Sequence, residues 1–447
     1  MEAIKAAKSR LVAGLTSSHR LTEHCLARAT DSTGQLSFTM LFPEQARLSA
    51  DAIDKMLAAG VDLSPLAGIP ISVKDLFDMR GYTTTAGSIA LKGFPVAATD
   101  AAVITRLKRA GGVILGKTNM TEFAYSGVGI NPHYGTPVNP YDEQVERIPG
   151  GSSSGGAVSV ARGMAFAAIV SDTGGSARIP AALCGLTGFK PTQKRISLAG
   201  TFPLSPSLDS VGTIARTVEC CAMVDQVLAG DQHRELAPSQ LSRQRFLVPQ
   251  NYVSDGVDLH VAKTFEQSVK KLSDAGATIV ETRFPEFEEI ASLNAKGGFA
   301  APESYAFHKR LGADFALYDP LVLERIMVGQ TTTAAEYLDL CEARISMKSR
   351  FRVAYSSADW ILCPTVPIIA PPIEQLQSDS QEFRRVNRLL LRNPSLANFL
   401  DLCSLSIPCQ REGDAPVGLM LFGAEGRDQT LLSVGSAIEN ALVANSL

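Results

Sequence analysis

The chain has 447 residues, of which 45% are hydrophobic and 19% charged, with a formal net charge of −3. Such a composition has the apolar content of a compact folded protein and excludes a disordered, solvating chain. No lysine or arginine run exceeds two residues, which leaves no basic footprint for a nucleic-acid backbone.

The opening MEAIKAAKSRLVAG carries lysines without an apolar core or a small-residue cleavage site. No apolar run approaches the roughly 20 residues that span a bilayer, so a cytoplasmic protein without membrane contact is expected. Eight cysteines between Cys25 and Cys409 show neither CxxC nor CxxxxC spacing, and Cys220 and Cys221 are adjacent. They read as buried free thiols. Residues 1–30 and 43–60 are rich in Ala, Leu, Glu and Lys at helical spacing. Segment 1–60 is therefore expected to be helical and to pack on one continuous domain, 61–447.

In GIPISVKDLFD the aliphatics Ile69, Ile71 and Val73 alternate with Pro70, Ser72 and Lys74. That is the period of a strand with one buried face, and Lys74 falls on the side opposite the aliphatics. Next come TDAAVITRLKRAGG as helix, VILGKT as strand, AVSVARGMAF and IARTVECCAMVDQVL as helices, and ATIVETRF, WILCPTV and VGLMLFG as strands. The alternation predicts a layered α/β architecture, and no linker or internal repeat divides it.

Three stretches imitate other chemistries. Gly111–Thr118, GGVILGKT, matches a phosphate-binding loop letter for letter, but a charged helix precedes it and its aliphatics read as the strand itself. GSSSG, centred on Ser153, matches a nucleophile elbow, yet the polar DEQVERIPG before it is no central strand. An elbow also needs a histidine base, and His233, His260 and His308 lie in polar, exposed-looking surroundings. Cys184, among small apolar residues, reads as a packing residue.

More chemistry is carried by two glycine-serine clusters separated by a helix, GGSSSGG and SDTGGSARIP. The pair Gly174-Gly175 frees the backbone to aim successive N–H groups into one concavity, with Ser176 directly after it. A serine needs a base, and no histidine is near in sequence. A lysine made neutral by burial can serve, and Lys74 is the candidate.

Together, GIPISVKD, GGSSSG and DTGGS resemble, in order, the signature of the amidase signature family, and the family's nucleophile follows its bridging serine at the interval that separates Ser176 from Ser152. GKTNMTEFA, NPHYGTPVNP, CGLTGFKPT, SLDSVGTIART and WILCPTVPIIAPP are similar as well, so the resemblance runs from about residue 60 to 425. It implies an α/β fold, a mixed and mostly parallel twisted sheet sandwiched between helices. It also implies amide hydrolysis without a metal or organic cofactor. Ser176 would be the acyl nucleophile, Ser152 the bridging serine after a cis peptide at Gly151–Ser152, and Lys74 the base. The N–H groups of Thr173, Gly174, Gly175 and Ser176 would form the oxyanion hole. Ser153 and Ser154 are expected to brace this turn and the lysine through hydrogen bonds. Asp172 and Arg178 are expected to pair with one another or with the backbone.

Within the family, one branch is the glutaminase (A) subunit of a glutamyl-tRNA amidotransferase and others are stand-alone amidases. Here SIPCQREGDAPVGLMLFG joins two strands through a short polar turn in place of a longer glycine-rich connection, which favours a stand-alone amidase. NFLDLCSLSIP is similar to a stretch of allophanate-type hydrolases. Pocket residues are expected from 121–135 and 300–330, with Tyr125, Tyr305 and Arg325 as contacts. The partner expected is a small-molecule amide, with no nucleic acid contacted, and a homodimer is compatible with this reading.

Overall fold

The computed structural model describes residues 2–32 and 34–444. Its strands are β1 (Phe38–Leu41), β2 (Pro70–Lys74), β3 (Val113–Thr118), β4 (Ala167–Asp172), β5 (Thr187–Lys190), β6 (Ser210–Ala215), β7 (Arg245–Pro249), β8 (Thr278–Thr282), β9 (Trp360–Pro364), β10 (Cys403–Pro408) and β11 (Gly418–Gly423). They form one sheet in the order β1-β3-β2-β4-β6-β5-β10-β11-β9-β7-β8. The chain is thus a single α/β domain built on a mixed sheet between helices.

Parallel pairing is confined to two blocks, β3-β2-β4 and β9-β7-β8, and every other ladder, the sheet centre included, is antiparallel. The parallel share is smaller than the family resemblance implied. The reason lies in the connections: β5 reaches β6 through an irregular segment, and β10 turns back on β11 as a hairpin with Pro408 opposite Gly418. Neither path requires a crossover helix.

Period two located β2 correctly, but the strand has no exposed side. All five residues are buried. Its second face is covered by the helix Ser154–Ala161, where Ser72 and Ser159 share a hydrogen bond of 2.9 Å between their Oγ atoms. Central strands buried on both faces lose the alternation that marks a half-exposed strand. The sequence reading missed β4, β5 and β6, which show no clean alternation, and also β10, although Cys403, Leu405 and Ile407 alternate there with Ser404 and Ser406. AVSVARGMAF accordingly splits, its helix ending at Ala161 before Phe166 leads into β4. Likewise Ile214 and Ala215 close β6, and the helix expected there begins later, at Val218, where the Thr217 side chain accepts from Cys220 N–H as an N-cap.

The N-terminal segment contains helices Ile4–Val12, Ser18–Thr30 and Pro43–Ala58, with β1 between the last two. Ile4, Ala7, Leu11 and Leu26 enter the main core. All eight cysteines are free, six of them buried and Cys341 and Cys409 half-buried. Among the described residues no helix is long and apolar enough to cross a membrane.

Because Ile71 is fully buried three residues before Lys74, Ile71→Ala is expected to cost about 2–5 kcal/mol through lost burial and an unfilled cavity. Urea unfolding measures this. A loss below about 1 kcal/mol would mean that the sheet collapses around the gap.

Candidate active site

At the C-terminal end of β2 the Lys74 side chain is 0% exposed. Its Nζ donates to Ser152 Oγ at 2.8 Å and to Ser171 Oγ at 2.9 Å, and Ser152 Oγ donates to Ser176 Oγ at 2.9 Å. An unbroken polar chain therefore joins the lysine to Ser176. Among the described residues no carboxylate forms an ion pair with Lys74. Burial pushes its pKa down to about 7, a fall opposed by the more distant charges of Asp172 and Asp209.

Ser152 is delivered by crowded backbone. The Gly151–Ser152 peptide is cis, Gly151 N–H donates to Gly127 O and Thr121 N–H to Ser152 O. A Cβ on Gly151 would stand 2.7 Å from Gly129 N, so no other residue fits the approach. Ser153 and Ser154 depart from expectation. Their Oγ atoms are buried and find no hydrogen-bond partner among the described residues, and the hydroxyl that does brace the lysine is Ser171. That role was invisible because it depends on β2 lying beside β4, in the register Val73 to Ile169.

Ser176 follows a loop that is held from below by Asp172. This carboxylate accepts from Gly175 N–H at 2.9 Å and Ala177 N–H at 3.1 Å, from Arg178 at 2.9 and 3.0 Å, and from Asn398 Nδ2 at 2.9 Å. Burial alone would raise the Asp172 carboxyl, but the Arg178 guanidinium beside it holds it well below the usual carboxylate range. Asp172 and Arg178 thus pair with one another and Asp172 also with the backbone. Asn398, on the helix Pro394–Phe399, completes the network and was missed. Gly175 sits at φ 125°, where a Cβ would meet Pro394 Cβ at 2.6 Å.

Gly175, one of the four expected donors, has its N–H committed to Asp172. Thr173, Gly174 and Ser176 are the members whose N–H groups make no hydrogen bond among the described residues. Thr173 Oγ1 in turn donates to Asp209 at 2.5 Å, a carboxyl that burial raises to about 6.

Thr173, Gly174 and Ser176 face a cavity of about 810 Å³. Tyr125 and Arg325 line it, the Arg325 guanidinium lying 4.4 Å from the Tyr125 ring centroid. Tyr305 does not line it. On the helix Ala300–Leu311 it packs against the main core instead, because the face turned inward there is that of Ala301, Ser304 and His308. The remaining walls, around 290–297 and 383–399, were not anticipated. His308 also differs from expectation, being 1% exposed, with Nδ1 at 2.9 Å from Tyr318 Oη and its ring against Phe123.

The imitating motifs are absorbed by the fold. Lys117 of the loop-like GGVILGKT is buried in β3 and paired with Asp75 at 3.0 Å. Cys184 is buried with its thiol on Pro149 O, and burial pushes its pKa up.

A family model described as Amidase matches residues 20–432. The chain belongs to the amidase family. It is 34% identical over 400 residues to 2-amino-5-chloromuconic acid deaminase of Comamonas testosteroni, covering 88% of this chain and 86% of the relative. It is also 34% identical over 474 residues to the A-type subunit of the glutamyl-tRNA(Gln) amidotransferase from Chloroflexus aggregans, covering 98% and 95%. A crystal structure of an amidase superposes with a TM-score of 0.87 at 30% identity, over 98% of this chain and 99% of that one.

In this chain Asp172→Ala would strand Arg178 and release the loop before Ser176. Breaking a buried pair from one side is expected to cost about 3–5 kcal/mol, read by chemical denaturation, and to abolish amide turnover in whatever fraction stays folded. Wild-type stability in the variant would show that Arg178 finds other partners.

Proposed function

We propose that the chain is a stand-alone amidohydrolase that cleaves the C–N bond of a linear carboxylic amide through an ester on Ser176, with Ser152 as relay and Lys74 as base. The observation that carries this reading is the continuous chain from Lys74 to Ser176, ending on a lysine whose pKa is pushed down to about 7 by burial.

With the amine neutral the hydroxyls can reverse, Ser176 donating to Ser152 and Ser152 to Nζ. Ser176 Oγ attacks the amide carbon as its proton passes to Ser152, and the proton of Ser152 passes to Lys74. The developing oxyanion is met by the N–H groups of Thr173, Gly174 and Ser176, each well-placed donor being worth about 3 kcal/mol. As the C–N bond breaks, the proton returns from Lys74 through Ser152 to the departing nitrogen. Water then attacks the ester by the same relay and releases the acid and free Ser176. No step calls for a metal or an organic cofactor.

The family match and the likeness to a solved amidase support hydrolysis of a C–N bond. The second reading, a glutaminase component of an amidotransferase, is favoured by likeness to such proteins over 98% of the chain. The short hairpin turn between β10 and β11 weighs against it. Incubating the purified chain alone with amides, ureides and glutamine separates the two, since glutamine turnover that appears only with partner proteins would favour the second.

Hydroxylamine added during turnover is expected to divert the acyl group to a hydroxamate, detected as its ferric complex. Turnover without hydroxamate, using an amide whose acid product forms normally, would argue against a Ser176 ester.

A protonated lysine cannot accept, so kcat/KM should be low below pH 7, rise through about 7 and hold a plateau on the alkaline side. Asp209 titrates nearby at about 6, so the ascending limb is to be compared with that of Lys74→Ala on an activated ester, where it should be lost. Lys74→Ala should also slow amides far more than matched esters, because only the amine leaving group needs a delivered proton. Equal losses would make Lys74 structural.

A further inference from the structure

The walls of the cavity in front of Ser176 are strongly cationic. Among the described residues that line it, Lys296, Arg325, Arg384, Arg385, Arg388 and Arg392 face a single carboxylate, Glu324. That carboxylate is committed, since Arg384 Nη2 holds it at 2.6 Å. Three of the other cations also have partners. Arg385 pairs with Glu382 at 2.6 Å and Lys296 with Glu336 at 3.3 Å, while Arg392 donates to the carbonyls of Val253 and Asp255.

Two cations are left over. Arg388 makes no hydrogen bond or ion pair among the described residues, and Arg325 has no carboxylate partner among them, its guanidinium being seated on Tyr125. Their placement is fixed by the bridge between their helices. Glu324 precedes Arg325 on the helix Pro320–Val328, and Arg384 lies one helical turn before Arg388 on Ser380–Arg392. The Arg384–Glu324 pair ties together the two helices that carry these guanidiniums, and both side chains line the same cavity.

Cationic walls around a cleft focus the field and concentrate anions, and a guanidinium takes a carboxylate through paired N–H donors. The same walls repel an ammonium and offer it no uncommitted acid. We infer that the substrate carries a carboxylate at the end remote from the scissile amide, held by Arg325 and Arg388, and carries no ammonium. Monoamides of dicarboxylic acids are the class that fits. This rests on the reading of Ser176 as the nucleophile. Hydrolysis would break the C–N bond, water supplying its oxygen to the carbonyl carbon and both protons to nitrogen, and leave a dicarboxylate and ammonium. Glutamine, with an ammonium beside its carboxylate, is a poor fit.

Four amides of similar length provide the test: glutaramate (anionic), pentanamide (neutral), glutamine (zwitterionic) and 5-aminopentanamide (cationic). Ammonia release should give a kcat/KM for glutaramate at least tenfold above pentanamide, with glutamine and 5-aminopentanamide below both. Arg388→Gln and Arg325→Gln should each narrow the glutaramate-to-pentanamide ratio at least fivefold, chiefly through KM. Calorimetry with Ser176→Ala reads binding without turnover. It should show glutaramate and glutarate binding at least tenfold tighter than pentanamide, a margin that shrinks in added salt and in the double variant with Arg388→Gln. Turnover of all four amides at similar rates would overturn the inference and leave the amidase reading intact. So would equal binding of charged and neutral probes. Preferential binding of glutaramate without hydrolysis of any amide, even by the wild-type chain, would support the anion site and count against the amidase reading.

Discussion

The site depends on keeping one lysine in the core without a counter-ion. Among the described residues three buried lysines lie on strands of this sheet, and their partners differ. Lys117 is paired with Asp75 at 3.0 Å and Lys190 donates to the Pro191 carbonyl at 2.7 Å, whereas Lys74 meets only hydroxyls. A carboxylate in contact would fix the ammonium form, and an apolar pocket would leave a polar group unsatisfied. Hydroxyls avoid both outcomes, because they accept from an ammonium and donate to an amine. The run of serines around Lys74, drawn from separate segments, follows from that requirement.

The same requirement governs where negative charge is allowed. Asp172 ends the strand beside β2 and its charge works against a neutral Lys74. Arg178 and Asn398 absorb that charge within hydrogen-bond distance. A charge paired this closely acts at a distance as a weaker dipole, so Asp172 can hold the Ser176 loop while raising the pKa of Lys74 less than an unpaired carboxylate would. Arg178 is itself 0% exposed, and the burial of this pair is better understood as a device for loop geometry than as a source of stability.

What could be read from sequence was whatever local chemistry writes. β2 announced itself by alternation, β3 by an unbroken aliphatic run, and the two glycine-serine clusters by a density of flexible polar residues no ordinary core requires. The three residues of the proposed relay were named from these signals and from the family resemblance. What was not legible depends on contacts across the sheet. Ser171 bonds Lys74 only because β4 runs beside β2, and Asn398 reaches Asp172 from 226 residues away. Tyr305 and His308 were misjudged for a related reason: which face of the helix Ala300–Leu311 turns inward is decided by Phe123 and Tyr318, and nothing in the helix's own composition reveals them.

The division between legible and illegible residues coincides with a division of labour in the fold. The polar chain to Ser176 is built at strand ends and in the turns between β2, β4 and the glycine-serine loops, where a displaced atom breaks a hydrogen bond of 2.8 or 2.9 Å. The cavity walls come largely from elsewhere, from helices inserted between β8 and β9 and between β9 and β10. Side chains on those helices can change without moving a strand. A deaminase and an amidotransferase component, by their names different proteins, are each 34% identical to this chain. Such divergence is expected when chemistry resides in the sheet and selectivity in the inserted helices. The identity of the amide is therefore to be sought in the charges of the helices Pro320–Val328 and Ser380–Arg392, and the signature strands have little to say about it.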